Sequence, residues 1–367
     1  MRIGIDAGSL CHQPTGVGHY LGGLIQEWAS MPTMSHEFVL YAPDDIPLPL
    51  DARRFAIRTL RGTGGSWWQQ VQLPRAASAD HLDVFFSPAY TAPLFLRTPT
   101  VVAIHDVSFA AHPEWFRTRE GARLRWLSRW TSAGARFVLT ISQFSRGEIT
   151  RLLDVPDHRI RVVPPGVPGR HAAPVGIGPP RVLFVGSIFN RRHVIELVRA
   201  FSILARARPD VSLDLAGANR TYPYEDVDAA ITNEGLADRV RWHRYASDAQ
   251  LRELYSRARA FAFLSEYEGL GLTPLEALSA GVLPVLLDTP VARESCADAA
   301  LYVKTPTPKE VSAALEQVLF DEPTRGRLLG AAPAVLANYN WPRAAKQTLK
   351  VLEEATQLAI GSLSIVD

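Results

Sequence analysis

The chain has 367 residues, of which 47% are apolar, and its formal net charge is +2 at neutral pH. This length exceeds the usual size of one domain, so we expect two domains of about 165 to 200 residues. The small net charge and the lack of a basic tail give no reason to expect a nucleic-acid partner.

The low numbers of cysteine and lysine further restrict the kinds of site that the chain can form. Two cysteines, Cys11 and Cys296, are too few for a disulfide framework or a zinc site, so we expect a reducing compartment. The first residues form a strand pattern rather than a signal peptide, and no apolar run reaches about 18 residues, which favours a cytoplasmic protein. Arginine carries almost all of the positive charge. The only lysines are Lys304, Lys309, Lys346 and Lys350.

The first half of the chain alternates apolar strand patterns with helices. Strands are expected at 3–6, 38–41, 55–59, 83–87, 100–104 and 137–141. Gly16 and Gly18 lie in a glycine turn that opens a helix through Trp28, a pattern that most often marks only a tight strand-to-helix connection. Trp67 and Trp68 could line a ligand groove, but we favour packing against the sheet, the commoner use of such aromatics.

Two polar side chains follow strands of this series. His105 comes directly after the strand at 100–104, and open parallel sheets bind ligands at the carboxyl ends of their strands. A histidine there is about as often ordinary hydrogen-bonded structure, and Asp106 could orient it. Ser142 follows the strand at 137–141 and begins a helix, where capping is the simplest interpretation.

The stretch 114–135 has a helical pattern crowded with arginine and tryptophan. Basic amphipathic helices with aromatic residues can lie on an anionic membrane surface. The alternative, which we slightly favour, is a solvated surface helix whose tryptophans pack inward.

A stretch rich in Pro, Gly and Ala at 168–180 indicates a linker, and a second strand-loop-helix series follows it. Strands are expected at 181–185, 211–216, 240–243, 260–264 and 282–287. Arg191 and Arg192 come after the first of these strands, where a pair of arginines is ordinarily exposed. Asp226 and Asp228 form a D-x-D pattern, but the helical context indicates a solvated acidic face rather than a metal site.

The chain from Glu266 to Gly281 combines a strand end, a glycine loop and a helix start. Glycines let the backbone pass close to a ligand, and free amides at a helix start bind anions, so this corner predicts nucleotide binding. Glu276 also has a structural interpretation as part of a capping box with Thr273. Glu268 lies in the loop itself and has no helix to cap, which favours a functional role.

Nine consecutive positions, EGLGLTPLE from Glu268 to Glu276, closely resemble the signature of retaining glycosyltransferases of family 4, although Leu270 replaces the usual phenylalanine. The resemblance implies the α/β architecture called GT-B, with two Rossmann-like domains whose parallel sheets face an interdomain cleft. It divides the chain into an acceptor-side domain at 1–167, a linker at 168–180, a nucleotide-sugar-binding domain at 181–342 and a helix at 343–367 that crosses back toward the first domain.

The resemblance also assigns roles at the donor site. Glu268 would lie by the donor sugar together with His105, and Glu276 would hold the ribose hydroxyls. Arg192, with Arg191 beside it, stands where the family has a phosphate-binding lysine, and the preceding Phe189-Asn190 departs from the family pattern. The other residues implied at the donor are Gly16, Gly18, Ser142, Gly217, Tyr245, Gly269, Leu270 and Gly271.

By this resemblance the protein transfers a hexose with retention, GDP-mannose being the first donor expected, to a saccharide or lipid-linked acceptor in bacterial polysaccharide or glycolipid synthesis. No cofactor or metal is implied, because the arginine pair and helix-end amides would stabilise the leaving diphosphate. The alternatives are a nucleotide-sugar 2-epimerase of the same architecture and a catalytically silent nucleotide-sugar-binding scaffold. The expected location is cytoplasmic, at the inner face of the membrane if 114–135 contacts lipid.

Overall fold

A computed structural model describes residues 1–11, 16–31, 35–47, 50–169 and 179–361. The chain divides into two compact units, the first formed by Met1–Gly166 and the chain from Tyr339 onward, the second by Val167–Asn338. Most of the linker expected at 168–180 lies outside the described residues.

The first unit contains a seven-stranded sheet in the order β3-β2-β1-β4-β5-β6-β7, with every pair parallel. Its strands are β1 (Arg2–Asp6), β2 (Glu37–Ala42), β3 (Phe55–Thr59), β4 (Val84–Ser87), β5 (Thr100–Ala103), β6 (Phe137–Thr140) and β7 (Ile160–Val162). Its helices are α1 (Gly16–Ser30), α2 (Gly65–Trp67), α3 (Leu73–Ala79), α4 (Ser108–Ala111), α5 (Thr118–Gly134), α6 (Gln143–Leu153) and α14 (Trp341–Gly361).

The second unit contains a six-stranded parallel sheet in the order β10-β9-β8-β11-β12-β13. Its strands are β8 (Arg181–Val185), β9 (Ser212–Ala216), β10 (Val240–His243), β11 (Ala260–Phe263), β12 (Leu283–Leu287) and β13 (Leu301–Val303). Its helices are α7 (Val194–Ala207), α8 (Val227–Asn233), α9 (Asp248–Arg257), α10 (Leu272–Ser279), α11 (Pro290–Cys296), α12 (Pro308–Phe320) and α13 (Glu322–Leu336).

The central strands are apolar on both faces, because helices cover a parallel sheet on both sides. Ile3 and Ile5 of β1, and Phe261 of β11, are fully buried. The expectation of two parallel-sheet α/β domains is therefore confirmed. In the part of the chain that the structure describes, no helix is both long and apolar enough to cross a membrane.

The last helix, α14, packs within the first unit. The indole Nε1 of Trp28 in α1 donates to the carbonyl of Ala345 at 3.1 Å. Trp341 occupies space that only glycine leaves open, since a Cβ on Gly23 would lie 2.6 Å from its ring and one on Gly166 would lie 2.2 Å from it. The C-terminal helix thus contributes to the first unit's core.

One predicted helix of the first unit differs from the structure. The helix expected over 114–135 is a 3-10 turn, Pro113–Trp115, followed by α5, because Arg117 between them is extended. Strand β7 ends at Val162, since Pro164 and Pro165 lack the amide that would continue the ladder.

Candidate functional site

The second sheet reverses its strand order between β8 and β11, which are neighbours although three helices and two strands separate them in the chain. In an open parallel sheet, this switch point at the carboxyl ends of the strands is where ligands bind. The loop after β8 carries Arg191 and Arg192, and the loop after β11 carries Glu268. The fold therefore brings the predicted arginine pair and loop glutamate to one position.

Arg192 and Glu268 form a tight, largely buried ion pair. Arg192 Nε and Nη2 lie 2.8 Å and 2.7 Å from Glu268 Oε1, and the side chains are only 13% and 18% exposed. The hydroxyl of Ser265 donates to the same oxygen at 2.8 Å. All three donors converge on Oε1, so Oε2 has no hydrogen-bond partner among the residues that the structure describes. One carboxylate oxygen fixes the arginine, and the other is available to a ligand.

The guanidinium of Arg192 is held against a glycine. Gly186 has a φ of +141°, and a Cβ there would lie 2.7 Å from Arg192 Nη1. Nη1 donates to the carbonyl of Ser187 at 2.9 Å, and the ring of Phe263 lies 4.8 Å from the guanidinium carbon. Gly186 was not predicted as a site residue, although its position directly after the strand at 181–185 was the available signal.

Phe189, one of the departures from the family pattern, has a physical role here. The guanidinium carbons of Arg191 and Arg192 lie 4.3 Å and 5.5 Å from the centre of its ring. A cation over an aromatic face is attracted by the ring quadrupole, by about 0.5 to 2 kcal/mol depending on solvation. The aromatic ring thus stabilises both guanidinium groups without neutralising their charge.

His193, next to Arg192, is in the left-handed region at φ +50°. Its Nε2 lies 2.7 Å from Glu266 Oε1, and its Nδ1 lies 3.6 Å from Glu196 Oε2. Burial by itself would lower the pKa of the imidazole, but the bonds to Glu196 and Glu266 outweigh it and raise that pKa. The loop after β8 is therefore tied by charge both to the start of α7 and to the loop after β11.

The corner before α10 differs from the capping box considered above. The helix begins at Leu272, and Gly271 is its N-cap in the left-handed region at φ +88°, without a side-chain cap. Thr273 lies inside the helix, so the interpretation of Thr273 as the cap is wrong. Glu276 Oε2 instead accepts a hydrogen bond from the hydroxyl of Tyr255 at 3.3 Å.

The remaining loop residues differ in exposure. Leu270 is buried. Gly217 follows β9 at φ +146°, and a Cβ there would lie 2.0 Å from the carbonyl oxygen of Gly186. Tyr245 is exposed. Ligand contacts of Gly217, Tyr245, Gly269, Leu270 and Gly271 remain predictions.

In the first unit, His105 follows β5 and is buried. Its Nε2 lies 2.8 Å from the carbonyl of Pro88, so Nε2 carries the proton, and burial lowers the pKa of the imidazole. Asp106 had been considered as a residue that could orient His105, but its hydrogen bonds go elsewhere. Asp106 accepts instead from Tyr90 and from the amide of Ser108, each at 2.8 Å.

The other residues expected at the donor in this unit have mixed outcomes. Gly16 and Gly18 lie in the first turn of α1, and the residues just before Gly16 lie outside the described residues. Ser142 accepts from the amide of Ser145 at 3.0 Å, which confirms it as the cap of α6. Its side chain is fully buried, so the donor contact implied for Ser142 has no exposed atom to make it.

Asp6 was missed by the sequence analysis. It ends β1 next to β4, at the switch point of the first sheet, and burial raises the pKa of its carboxyl. Gln69 Nε2 donates to Asp6 Oδ2 at 3.0 Å, and the amide of Gly8 donates to Oδ1 at 3.2 Å. An acidic residue ending an otherwise apolar strand, IGID, was the signal that could have identified it.

The structure also shows the contacts of the D-x-D pattern and the exposure of the tryptophans. Asp226 caps α8, and Asp228 pairs with Arg244 at 2.8 Å, as expected of a solvated acidic face.

Trp68 is buried, but Trp67 is 70% exposed, so the packing interpretation is wrong for Trp67. Inward packing is likewise wrong for two tryptophans of α5, since Trp126 and Trp130 are 55% and 58% exposed.

Two family models match the chain. The model described as Glycosyltransferase Family 4 matches residues 14–170, and the model described as Glycosyl transferases group 1 matches residues 172–334. The chain is also 27% identical over 291 residues to O-antigen chain mannosyltransferase B of Escherichia coli, covering 74% of this chain and 75% of that one.

A second relative and one solved structure complete the comparison. Over 222 residues the chain is 30% identical to the GDP-mannose:cellobiosyl-diphosphopolyprenol alpha-mannosyltransferase of Xanthomonas oryzae pv. oryzae, covering 59% of this chain and 57% of that enzyme. The fold matches that of HepE from Anabaena, solved with UDP and glucose, at a TM-score of 0.75 and 16% identity, covering 96% of this chain and 99% of that one.

Proposed function

Because this chain belongs to the group 1 glycosyltransferases of family 4, a retaining family, we propose that it transfers mannose from GDP-mannose to a saccharide or lipid-linked saccharide acceptor. Both named relatives are mannosyltransferases, and one has GDP-mannose in its name. A 2-epimerase is not supported by these relatives.

The observation that carries the proposal is the ion pair of Arg192 with Glu268 at the switch point of the second sheet. As the bond from sugar to diphosphate breaks, negative charge develops on the phosphate oxygens. Arg192 would meet these oxygens, and because its guanidinium is already held by Ser187 and Phe263 it would stabilise this charge without first being reorganised. Glu268 Oε2 is the oxygen that would accept a hydrogen bond from a sugar hydroxyl.

The metal-independent mechanism is part of the same proposal. Arginine provides fixed positive charge with a planar fork that suits phosphate oxygens, which is the work a divalent cation does in other transferases. Asp226 and Asp228 are engaged in a helix cap and an ion pair, so this pattern is not a ready metal ligand set. Transfer should therefore proceed in EDTA, whereas its loss in EDTA and recovery with manganese would overturn this part.

Peripheral membrane contact through α5 completes the proposal. A lipid-linked acceptor would place the reaction at a membrane surface, and α5 presents Trp126 and Trp130 to solvent among arginines. Exposed indoles favour the boundary between head groups and acyl chains, and arginine favours anionic lipid. The variant W126A/W130A should therefore bind anionic vesicles less well than the wild type.

The decisive test is calorimetric titration of GDP into the Arg192→Ala variant. Losing a charge-assisted contact of about 1.5 to 3 kcal/mol should weaken binding at least about tenfold. The matched control is Arg206→Ala, which removes an equally charged side chain of the same unit that is exposed and 3.9 Å from Glu234. Unchanged GDP affinity in Arg192→Ala would remove Arg192 from the site.

Incubation with GDP-mannose alone and with an acceptor distinguishes the functions. A transferase forms product only with the acceptor and otherwise hydrolyses the donor slowly. An epimerase would convert the donor alone into a new nucleotide-sugar.

A further inference from the structure

The first unit contains a cavity of about 620 Å³ at the edge of the sheet opposite His105. His105 follows the carboxyl end of β5, whereas the cavity is lined by Thr100 and Phe137, the first residues of β5 and β6. The end of α5, with Trp130, and the loop before β5 close its sides. The cavity is therefore separate from the ligand edge of this sheet.

The cavity is strongly basic. Arg97, Arg136, Arg159 and His158 line it, and none of its lining residues is acidic. We call it the arginine pocket. Neither Arg97 nor Arg136 has an ion-pair partner among the residues that the structure describes. The carboxylates that precede His158 and Arg159 in the sequence, Asp154 and Asp157, are already paired with Arg129 and Arg146.

Arg159 lines the pocket and is held there by backbone carbonyls. Its Nη2 donates to the carbonyls of Ser132 at 2.9 Å and Ala133 at 3.0 Å, and also to that of Ala135, at the end of α5. Burial, and then the positive charge of Arg136, lower the pKa of its guanidinium. No acidic residue lines the pocket to offset the charges of Arg136 and Arg159, so a bound anion would be stabilised there.

The rim of the pocket is aromatic and exposed. Phe95, in the loop before β5, is 86% exposed, and the rings of Trp126 and Trp130 lie 6.1 Å apart on the neighbouring turns of α5. An anion site bordered by solvent-facing aromatic rings fits a ligand that has a phosphate at one end and acyl chains at the other.

We propose that the arginine pocket binds the phosphate of an anionic membrane lipid head group, while Phe95, Trp126 and Trp130 contact the adjoining acyl boundary. This proposal rests on the membrane contact proposed above and goes beyond it. Contact through α5 alone is a diffuse attraction to surface charge, whereas the pocket is a defined site for one head group. It places the lipid at the amino-terminal edge of the first sheet, away from His105.

The test is cosedimentation with vesicles of phosphatidylcholine and with vesicles that also contain phosphatidylglycerol. Two variants address the pocket: R97A/R136A removes its unpaired cations, and A133E adds a carboxylate at an exposed helical residue of its wall. The control, R117A/R119A, removes the same charge from exposed residues at the other end of α5. Far-ultraviolet circular dichroism and melting curves confirm that each variant is folded.

The proposal predicts that R97A/R136A lowers the partition coefficient on phosphatidylglycerol vesicles at least about tenfold more than the control does, and that A133E has a comparable effect. Equal losses in R97A/R136A and the control would mean diffuse attraction and would overturn the pocket while leaving membrane contact through α5 intact. Wild-type protein that binds neither vesicle would overturn both the pocket and the membrane contact, but not the transferase assignment.

Calorimetry with inorganic phosphate and with glycerol 3-phosphate identifies the source of the anion. Binding of either compound that A133E abolishes, without vesicle binding by the wild type, would show a soluble phosphate site and overturn the lipid proposal. Phosphate binding that A133E leaves unchanged would place the anion elsewhere and would count against the pocket.

Discussion

Glu268 and Arg192 share a hydrogen bond although the family resemblance gives one of them to the sugar and the other to the phosphates. The bond couples the two assignments. Glu268 keeps the guanidinium oriented, and the guanidinium in turn holds the carboxylate in place. A substitution at either residue therefore also affects the other. For this reason the conservative change of Glu268 to glutamine is more informative than a change to alanine.

The variant Glu268→Gln should depress turnover while nearly retaining GDP affinity. Glutamine keeps an oxygen for Arg192 and Ser265 but loses the charge that would act on the sugar. Steady-state kinetics and GDP titration measure the two effects separately. Full turnover would show that Glu268 is not part of the catalytic machinery.

Glu276→Gln should have the opposite effect, weakening GDP binding because Glu276 is assigned to the ribose. The capping interpretation instead predicts a stability loss of about 0.5 to 2 kcal/mol with unchanged GDP binding. Since Gly271 is the N-cap and Thr273 is inside the helix, we expect the melting temperature to change little. Early melting with unchanged GDP affinity would reject the ribose assignment.

His193 predicts a pH-dependent contribution to stability. Its pKa is raised in the folded state by Glu196 and Glu266, so its ion pairs stabilise the protein fully below the unfolded imidazole pKa of about 6.5. This stabilisation is lost as the pH rises through the higher folded pKa. Asparagine tolerates the left-handed backbone of this position better than most residues.

Urea unfolding of His193→Asn and the wild type at several pH values should therefore show a stability difference that is largest at mildly acid pH and shrinks toward alkaline pH. Glu266→Gln is the matched variant, because it removes one carboxylate partner and should reduce the same pH dependence. A difference that grows with pH would contradict the assigned sign.

At the scale of elements, the switch point of the second sheet depends on two glycines where strands β8 and β9 end. Gly217 has a φ of +146° and leaves no room for a Cβ, whose nearest neighbour would be the carbonyl oxygen of Gly186 at 2.0 Å. Gly186 in turn leaves room for the guanidinium of Arg192. The backbone of two loops thus determines where the phosphate-binding side chain can lie.

Gly217→Ala should destabilise the protein by at least about 1 to 3 kcal/mol and also weaken GDP binding, because the clash displaces the loop that holds Arg192. Gly326→Ala in α13 is the control, since nothing lies within 4 Å of its added Cβ and alanine favours a helix. Melting curves and GDP titration measure both effects. A Gly217→Ala protein as stable as the wild type would mean that the two loops can separate without cost.

Helix α5 shows where sequence patterns stop being informative. Its interleaved arginines and tryptophans allow both inward packing and exposure, because the period of a helix does not say which face a sheet will cover. The structure buries Leu127, Ser128 and Thr131 and exposes Trp126 and Trp130. Leu127 and smaller residues pack inward, and the indoles face solvent.

For the whole molecule, strand positions could be predicted within one or two residues for most strands, because buried parallel strands are short apolar runs. The proximity of Arg192 and Glu268 could not be worked out from spacing, since 76 residues separate them, and came only from the family resemblance. Asp6 was missed because a single acidic residue after an apolar strand looks like an ordinary turn. The cap at Gly271 was misplaced because T-P-L-E matches a capping box whether or not the helix begins there.

Two separate cores predict two separately stabilised units. Leu352 of α14 belongs to the first unit and Leu315 of α12 to the second, and each is fully buried. Replacing either with alanine removes the same methyl groups and should cost about 2 to 5 kcal/mol. The two variants are therefore matched in chemistry and differ only in which core they weaken.

Hydrogen exchange followed by mass spectrometry resolves the effect strand by strand. Leu352→Ala should lower protection in β1 to β7 and leave β8 to β13 as in the wild type, and Leu315→Ala should do the reverse, because opening of one core does not expose the amides of the other. GDP should raise protection around β8 and β11 in Leu352→Ala as much as in the wild type, since Arg192 and Glu268 both belong to the second unit. If Leu352→Ala lowered protection in both sheets, the chain after Tyr339 would have to stabilise the second core as well, and the division into two units at Gly166 and Asn338 would not hold in solution.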